Sequence, residues 1–225
     1  MNTNKNTARI AGFLYLLQIP LGIFGIIYIP KFLVVPDNVS ATISNILAHE
    51  FLFRLSMVSA ILCALVTVLT AIYISKLLKP VNSSWAGCIV LFAALAAPIS
   101  VLNELNHVAV LILVKNPSVM SGYSENQVHL LILFFLELHK YGMQLVGIFF
   151  GLWLLPMGLL IIKSGFIPRI IGILLLVTCC GYLIDFTIFF LSPNIKIVVS
   201  EYTWLGEVLM VLWLLTKGGK LKTNS

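Results

Sequence analysis

Long apolar segments separated by short polar ones run through most of this chain. Each of six segments is mostly apolar over about 20 residues or more, the length of helix that crosses a hydrocarbon core about 30 Å thick. We expect the first to be a retained span and not a cleaved signal peptide, because its apolar run is too long for a signal sequence. The predicted spans are residues 10–29, 53–78, 85–114, 140–162, 169–191 and 198–216.

The segment before the second span has a different pattern. Val39, Ile43 and Ile46 recur at helical spacing with polar residues between them, after Asp37, which is a suitable N-cap. This spacing predicts a short amphipathic helix that lies on the membrane surface.

The apolar run over residues 127–163 is too long to be one simple span. As a single helix its 37 residues would measure about 55 Å. Its polar interruption lies at residues 137–142, so we predict an interfacial or re-entrant helix at about 125–137, followed by the fourth span. The alternative is one helix whose first turns project beyond the membrane, because periodicity does not separate the two.

Composition supports a chain that is dissolved in lipid. Apolar residues make up 60% of it and charged residues 10%, against roughly 25% charged residues in a typical soluble domain. Such a chain is neither disordered nor a water-soluble globule. The basic residues stand singly at the ends of apolar runs, which argues against nucleic-acid binding despite the net charge of +6. The expected partner is the lipid bilayer.

The distribution of basic residues predicts the orientation. Short cytoplasmic loops of membrane proteins are rich in Lys and Arg. Placing both termini in the cytoplasm puts more of the Lys and Arg residues on the inner side than the opposite orientation does. The inner side then holds nine basic residues and the outer side five. The inner set is Lys5, Arg9, Lys76, Lys79, Lys163, Arg169, Lys217, Lys220 and Lys222; the outer set is Lys31, Arg54, Lys115, Lys140 and Lys196. The predicted fold is an all-α membrane bundle of six transmembrane helices, one domain over residues 1–225, with both termini cytoplasmic.

This orientation places all eight acidic residues and all four histidines toward the outer side. A charge at the bilayer centre costs about 2.5–3.5 kcal/mol, so ionisable residues inside spans should face inward, away from lipid. Glu104 and His107 share a helix face at a spacing of three. We predict a polar pocket in the outer leaflet, in which Arg54, alone or together with Lys140, pairs with some of Glu104, Glu137, Asp185 and Glu207. Its candidate residues are Arg54, Asn103, Glu104, His107, Glu137, His139, Tyr141, Gln144, Asp185 and Glu207.

Other roles for these residues stay open. Polar side chains also join membrane helices at about 0.6 kcal/mol each, and Glu50 with Arg54 could form only an interfacial ion pair. No enzyme signature such as H-E-x-x-H or G-x-S-x-G is present. His107 and His139 could ligate a haem if the third and fourth spans are neighbours, and His, Glu and Asp in one pocket could hold zinc that activates water. We predict no cofactor and keep both as alternatives.

An ordered set of short motifs runs through nearly the whole chain. The motifs are ARIAGFLY at 8–15, LFRL at 52–55, LKPVN at 78–82, LHKYG at 138–142, KSGFIPR at 163–169, GYLID at 181–185, and GE at 206–207 with WLLTKG at 213–218. Together they resemble a known family, the bacterial membrane proteins catalogued as domain of unknown function 4386. The resemblance implies a small multi-pass protein of the prokaryotic cell membrane, without an established activity and without catalytic residues to transfer. The family-like positions include Arg54, His139, Tyr141, Asp185 and Glu207.

These patterns favour a protein that binds a small ligand or an ion, for transport or sensing. The alternative is an intramembrane enzyme that uses His and carboxylates, and a further alternative is a structural or accessory subunit.

Overall fold

The computed structural model describes residues 3–116, 121–192, 194–195 and 197–218. Lys196, Lys220 and Lys222, which were counted for orientation, lie outside them. The regular structure of the described residues is helical throughout, which confirms the all-α prediction. The α-helices are α1 Thr3–Gly22, α2 Ile29–Leu33, α3 Val39–Ala48, α4 Glu50–Leu78, α5 Ser83–Asn103, α6 Leu105–Lys115, α7 Glu125–Leu152, α8 Leu154–Ser164, α9 Arg169–Leu191, α10 Ser200–Thr203 and α11 Leu205–Thr216.

Five helical segments of the described chain are long and apolar enough to cross a membrane. They are Lys5–Leu33, Glu50–Leu78, Ser83–Lys115, Glu125–Ser164 and Arg169–Leu191. The last predicted segment contains only α10 and the 12-residue α11. At 1.5 Å per residue, α11 alone measures about 18 Å and falls short of a hydrocarbon core. The sixth span therefore stays a prediction.

The fourth membrane segment differs from the prediction. We expected a break near residues 137–142, but α7 continues through them to Leu152. Glu137 and Lys140 pair with each other on the exposed surface of α7, so these polar residues need no interruption of the helix. The helical hydrogen-bond ladder is instead interrupted at Trp153 before α8, although the backbone of Trp153 stays in the right-handed helical conformation. Pro156 lacks the N–H that would bond the Leu152 carbonyl, which explains the position of this interruption.

The short helix α3 forms where its amphipathic pattern predicted it. Its N-cap is Asn38 and not Asp37: the Asn38 side-chain oxygen accepts the Ala41 N–H at 2.9 Å. Asp37 instead adopts a left-handed backbone with φ of 58°, in the turn before the cap. The cap thus moves by one residue without changing the helix.

The chain divides into two compact units. Unit 1 contains residues 1–18, 65–98 and 144–225, and unit 2 contains residues 19–64 and 99–143. Each has its own apolar core. The core of unit 1 includes Trp153, Met157 and Leu214. The core of unit 2 includes Phe53 and Ile132.

Small residues allow close helix packing inside each unit. In unit 1, a Cβ placed on Gly158 of α8 would lie 2.8 Å from the Gly172 carbonyl oxygen of α9. In unit 2, a Cβ on Gly25 would lie 2.7 Å from the Ser56 carbonyl oxygen of α4. Gly25 belongs to a π-helical stretch, Ile23–Tyr28, that follows Pro20 within the first membrane segment. Backbones approach here to distances that a larger residue would prevent, as is common in membrane helix bundles.

Candidate functional site

A break between α5 and α6 positions the first half of the candidate site. Glu104 is the one residue between these helices. The Asn106 side-chain amide donates to the Asn103 carbonyl oxygen at 3.0 Å. In an uninterrupted helix that oxygen would accept the His107 backbone N–H, so the side chain competes with the helical ladder. The break lies deep in the segment: the 11 residues of α6 that follow Glu104 correspond to about 16 Å of helix.

Glu104 bonds two histidine rings of unit 2. Its Oε2 is 3.0 Å from His107 Nδ1, and its Oε1 is 3.1 Å from His139 Nε2. The two imidazoles stack on each other with 3.6 Å between ring centroids and an interplanar angle of 23°. One carboxylate of α5–α6 is thereby joined to a histidine one turn along the chain and to a histidine of α7.

This cluster is removed from the surface. Glu104 and His107 are each 4% exposed and His139 is 7% exposed. The edge of the His107 ring meets the Phe53 ring at 5.1 Å between centroids. In such surroundings an ionised carboxylate needs partners that compensate its charge, and the two imidazoles are placed to supply that compensation.

Asn103 holds α7 against the site. Its Nδ2 donates to the His139 backbone oxygen at 2.9 Å, and its Oδ1 accepts from Asn106 Nδ2 at 3.0 Å. The approach is possible because residue 142 is a glycine: a Cβ on Gly142 would overlap the Asn103 Oδ1 atom. Asn103 and Gly142 therefore set the distance between the α5–α6 break and α7 at the level of His139.

The three side chains form a donor set that fits a transition-metal ion. One atom from each of Glu104, His107 and His139 lies within 4.8 Å of the other two. Ligand atoms about 2.0–2.2 Å from a tetrahedral zinc ion are about 3.3 Å apart, close to the Glu–His separations found here. Two imidazoles and one carboxylate are also the ligands of His₂Glu zinc enzymes and of non-haem iron sites. Three protein ligands leave at least one coordination position open.

The same geometry does not fit the haem alternative. A bis-histidine haem has one imidazole on each face of the porphyrin, with the rings directed away from each other. His107 and His139 stack face to face at 3.6 Å, which leaves no space for a porphyrin between them.

The remaining predicted residues of unit 2 lie apart from this cluster. Arg54 pairs with Glu50 through Nε and Oε1 at 2.7 Å, as in the interfacial alternative, and not with the acids of the predicted pocket. Glu137 pairs with Lys140 on the exposed face of α7. Tyr141 is 46% exposed. Of the seven predicted residues in unit 2, Asn103, Glu104, His107 and His139 converge.

Three predicted residues belong to unit 1. The Asp185 carboxylate accepts the backbone N–H groups of Val199 at 2.5 Å and Ser200 at 2.9 Å, so it caps the chain before α10. Glu207 Oε1 accepts the Tyr15 hydroxyl at 2.7 Å, and the Tyr15 ring meets Trp153 edge-on. Gln144 is half-buried on α7. The acids of unit 1 thus bond donors other than histidine.

Sequence reasoning overlooked two residues beside the site. Phe53 packs against His107, and Gly142 leaves the space that Asn103 occupies. It also overlooked Lys115, whose Nζ bonds Oε2 of Glu50, the partner of Arg54, at 2.8 Å. Gly142 had a signal, because a glycine follows the histidine by three residues in the LHKYG motif. The contacts of Phe53 and Lys115 join distant parts of the chain, and spacing does not reveal them.

Comparison with known proteins identifies a family whose description names no function. The family model described as "Domain of unknown function (DUF4386)" matches residues 10–218. An "Uncharacterized protein" of Archaeoglobus fulgidus is 42% identical over 74 residues, which is 33% of this chain and 44% of the relative. The chain therefore spans less than half the length of this curated relative. No solved structure matches the chain.

Proposed function

This chain belongs to the DUF4386 family, and we propose that it binds one divalent transition-metal ion within the membrane, at Glu104, His107 and His139. The observation that carries the proposal is the convergence of one atom from each side chain to within 4.8 Å, in a buried position of unit 2. A membrane protein of this composition has few reasons to bury three ionisable groups together, other than an ion or proton site.

Charge favours a cation at this position. With neutral imidazoles the cluster carries the single negative charge of Glu104, which would offset half the charge of a divalent ion. On binding such an ion, the imidazole nitrogens that face Glu104 would exchange a hydrogen bond for a metal bond, and each ring would carry its proton on the other nitrogen. Asn103 keeps His139 in place through its backbone oxygen. We place the protein in the class that binds an ion for transport or sensing.

A metal-dependent hydrolase is the second candidate. The observation in its favour is the number of protein ligands: three leave a position for water, whose pKa a zinc ion lowers to about 7. An accessory subunit without a ligand is the third reading, and it predicts no stoichiometric metal.

Metal content of the full chain tests the proposal. The protein is purified in detergent through a tag without histidine, stripped with chelator, and titrated with Zn²⁺ by calorimetry and with Co²⁺ by visible absorption. We expect one equivalent of either ion. Each of Glu104→Gln, His107→Asn and His139→Asn should weaken binding by about 100-fold or more, because even outer-shell changes cost 10–100-fold.

Matched controls come from the same helix. His129 on α7 lies near the exposed Glu125, and Glu137 pairs with Lys140, so His129→Asn and Glu137→Gln remove the same chemistry outside the cluster. Both should bind one equivalent like the unaltered chain. Absence of saturable binding in the unaltered chain would refute the proposal, and so would equal losses in the controls. Turnover of an ester or amide by the zinc form would select the hydrolase.

We also propose six spans with both termini cytoplasmic, in the prokaryotic cytoplasmic membrane. Support comes from the nine basic residues assigned to one side and five to the other. Reporter fusions after residues 116 and 218 test it. The first should be external and the second cytoplasmic; an external C-terminus would contradict six spans.

A further inference from the structure

An open surface cavity of about 660 Å³ lies on unit 1, at the end where α8, α9 and α11 meet. The turn 165–168 between α8 and α9 forms one wall, and Arg169, Trp213 and Lys217 complete the lining. Gly165, with φ of 70°, makes the sharp turn that opens this space. The volume falls in the range of small-molecule sites, about 300–1,000 Å³.

The cavity has a positive lining. Arg169 and Lys217 contribute two cations, and no acidic side chain is among the lining residues of this described region. Neither cation forms an ion pair with an acid in the described part of the chain, whereas Arg54, Lys115 and Lys140 each do. The cavity also lies at the start of the 23-residue α9, whose N-cap Pro168 supplies no side-chain acceptor. The free N–H groups and dipole of a helix N-terminus add to the attraction for an anion.

Apolar surface adjoins these charges. Phe166 in the cavity wall is 36% exposed, and Ile170, the residue after Arg169, is 56% exposed. Two membrane-length segments, Glu125–Ser164 and Arg169–Leu191, end and begin here. Trp213, an amphipathic side chain typical of the interface, lines the same space. A free anion would use only the cations, while a phospholipid would use both surfaces.

We propose that this cavity binds the phosphate-bearing headgroup of an anionic phospholipid. Arg169 and Lys217 hold the phosphate, Trp213 lies beside the headgroup, and Phe166 and Ile170 contact the acyl chains. The site is independent of the metal cluster, because it belongs to unit 1 and shares no residue with unit 2. Juxtamembrane cations attract anionic lipid by about fivefold in affinity each, which gives about 25-fold for the pair.

Thermal unfolding of the full chain in neutral detergent tests this. Phosphatidylglycerol should raise the Tm, and phosphatidylcholine should raise it much less. Arg169→Gln with Lys217→Gln should increase the phosphatidylglycerol needed for half the effect by about 25-fold. The charge-matched control is Lys79→Gln with Lys163→Gln, which removes two cations of unit 1 that do not line the cavity. Its response should equal that of the unaltered chain.

Three results would overturn the proposal. Equal losses in the control pair would mean a general surface-charge effect. Protection by inorganic phosphate as strong as that by phosphatidylglycerol would mean a free-anion site. Unchanged dependence in the cavity pair would mean binding elsewhere. If the cavity pair does not fold, native mass spectrometry of the unaltered chain decides: one phosphatidylglycerol should survive activation that removes phosphatidylcholine, and equal retention would refute the site.

Discussion

The acids inside the two units differ in the donors that they bond and in their burial: Glu104 of unit 2 is buried, whereas Asp185 and Glu207 of unit 1 are half-buried. In unit 2, Glu104 faces two imidazole nitrogens at 3.0 and 3.1 Å. In unit 1, Glu207 accepts a phenol hydroxyl, and Asp185 accepts backbone N–H groups. An imidazole can release its hydrogen bond and bind a metal in its place, while a backbone amide cannot and a phenol does so rarely at neutral pH. Both arrangements satisfy a carboxylate, but the first can also bind a ligand.

The largest difference should appear when each carboxylate is removed. Glu104→Ala leaves two buried neutral imidazoles without their hydrogen-bond partner, and at about 1–3 kcal/mol for each we expect a loss of about 2–6 kcal/mol in the free energy of unfolding. Glu207→Ala leaves only the Tyr15 hydroxyl, and the expected loss is about 1–2 kcal/mol. Unfolding in mixed detergent micelles with chelator present measures both without metal. Equal losses would remove the distinction between the units.

Metal should stabilise one unit only. Zn²⁺ at 100 times its Kd adds about 2.7 kcal/mol to the free energy of unfolding of the unaltered chain. His139→Asn should abolish this increment, and Glu207→Gln should retain it. The increment should shrink as the solution becomes mildly acidic, because protons compete with the metal for the imidazole nitrogens. An increment that survives in His139→Asn would place the ion elsewhere.

The sequence predicts a helix boundary well where a proline or a run of polar residues marks it. The bounds of α9 agree with the predicted 169–191, because Pro168 favours a helix start and polar residues follow Leu191. The predicted division of residues 125–162 near residues 137–142 was wrong. An apolar run does not show whether a polar pair such as Glu137 and Lys140 interrupts a helix or lies on its exposed surface.

In the candidate site too, the contacts between residues close in sequence were predictable and the long-range contacts were not. Spacing places His107 one turn from Glu104, and their contact at 3.0 Å agrees with it. The contact of His139 with Glu104 spans 35 positions and depends on packing of α7 that spacing does not contain. Arg54 pairs with Glu50, four residues before it on the same helix, and not with the acids that are distant in the sequence.

Two glycines of α7 test whether packing positions the cluster. A methyl group on Gly142 would overlap Asn103, whereas one on Gly147 would meet nothing within 4 Å. Gly142→Ala should cost about 2 kcal/mol, because Asn103 must leave its hydrogen bonds to His139 and Asn106. Gly147→Ala should be neutral or stabilise by up to about 1 kcal/mol. Denaturation of the two variants in parallel measures this difference.

The two glycine variants also show whether Asn103 orients His139 for metal binding or only stabilises the helix packing. Gly142→Ala should weaken Zn²⁺ binding by about tenfold or more, as displaced outer-shell groups do, while Gly147→Ala should bind like the unaltered chain. A destabilised Gly142→Ala variant with full zinc affinity would show that Asn103 holds the helices together without orienting His139.

The smallest effect concerns the Tyr15 hydroxyl in unit 1. Tyr15→Phe keeps the ring against Trp153 and removes the donor to Glu207, so we expect a loss of about 1 kcal/mol in the free energy of unfolding. Tyr202→Phe is the control, because Tyr202 is 80% exposed and its change should stay within about 0.5 kcal/mol. The zinc increment should be the same in both variants. A reduced increment in Tyr15→Phe would mean that Glu207 also affects ion binding, and the two carboxylates would then differ only in degree.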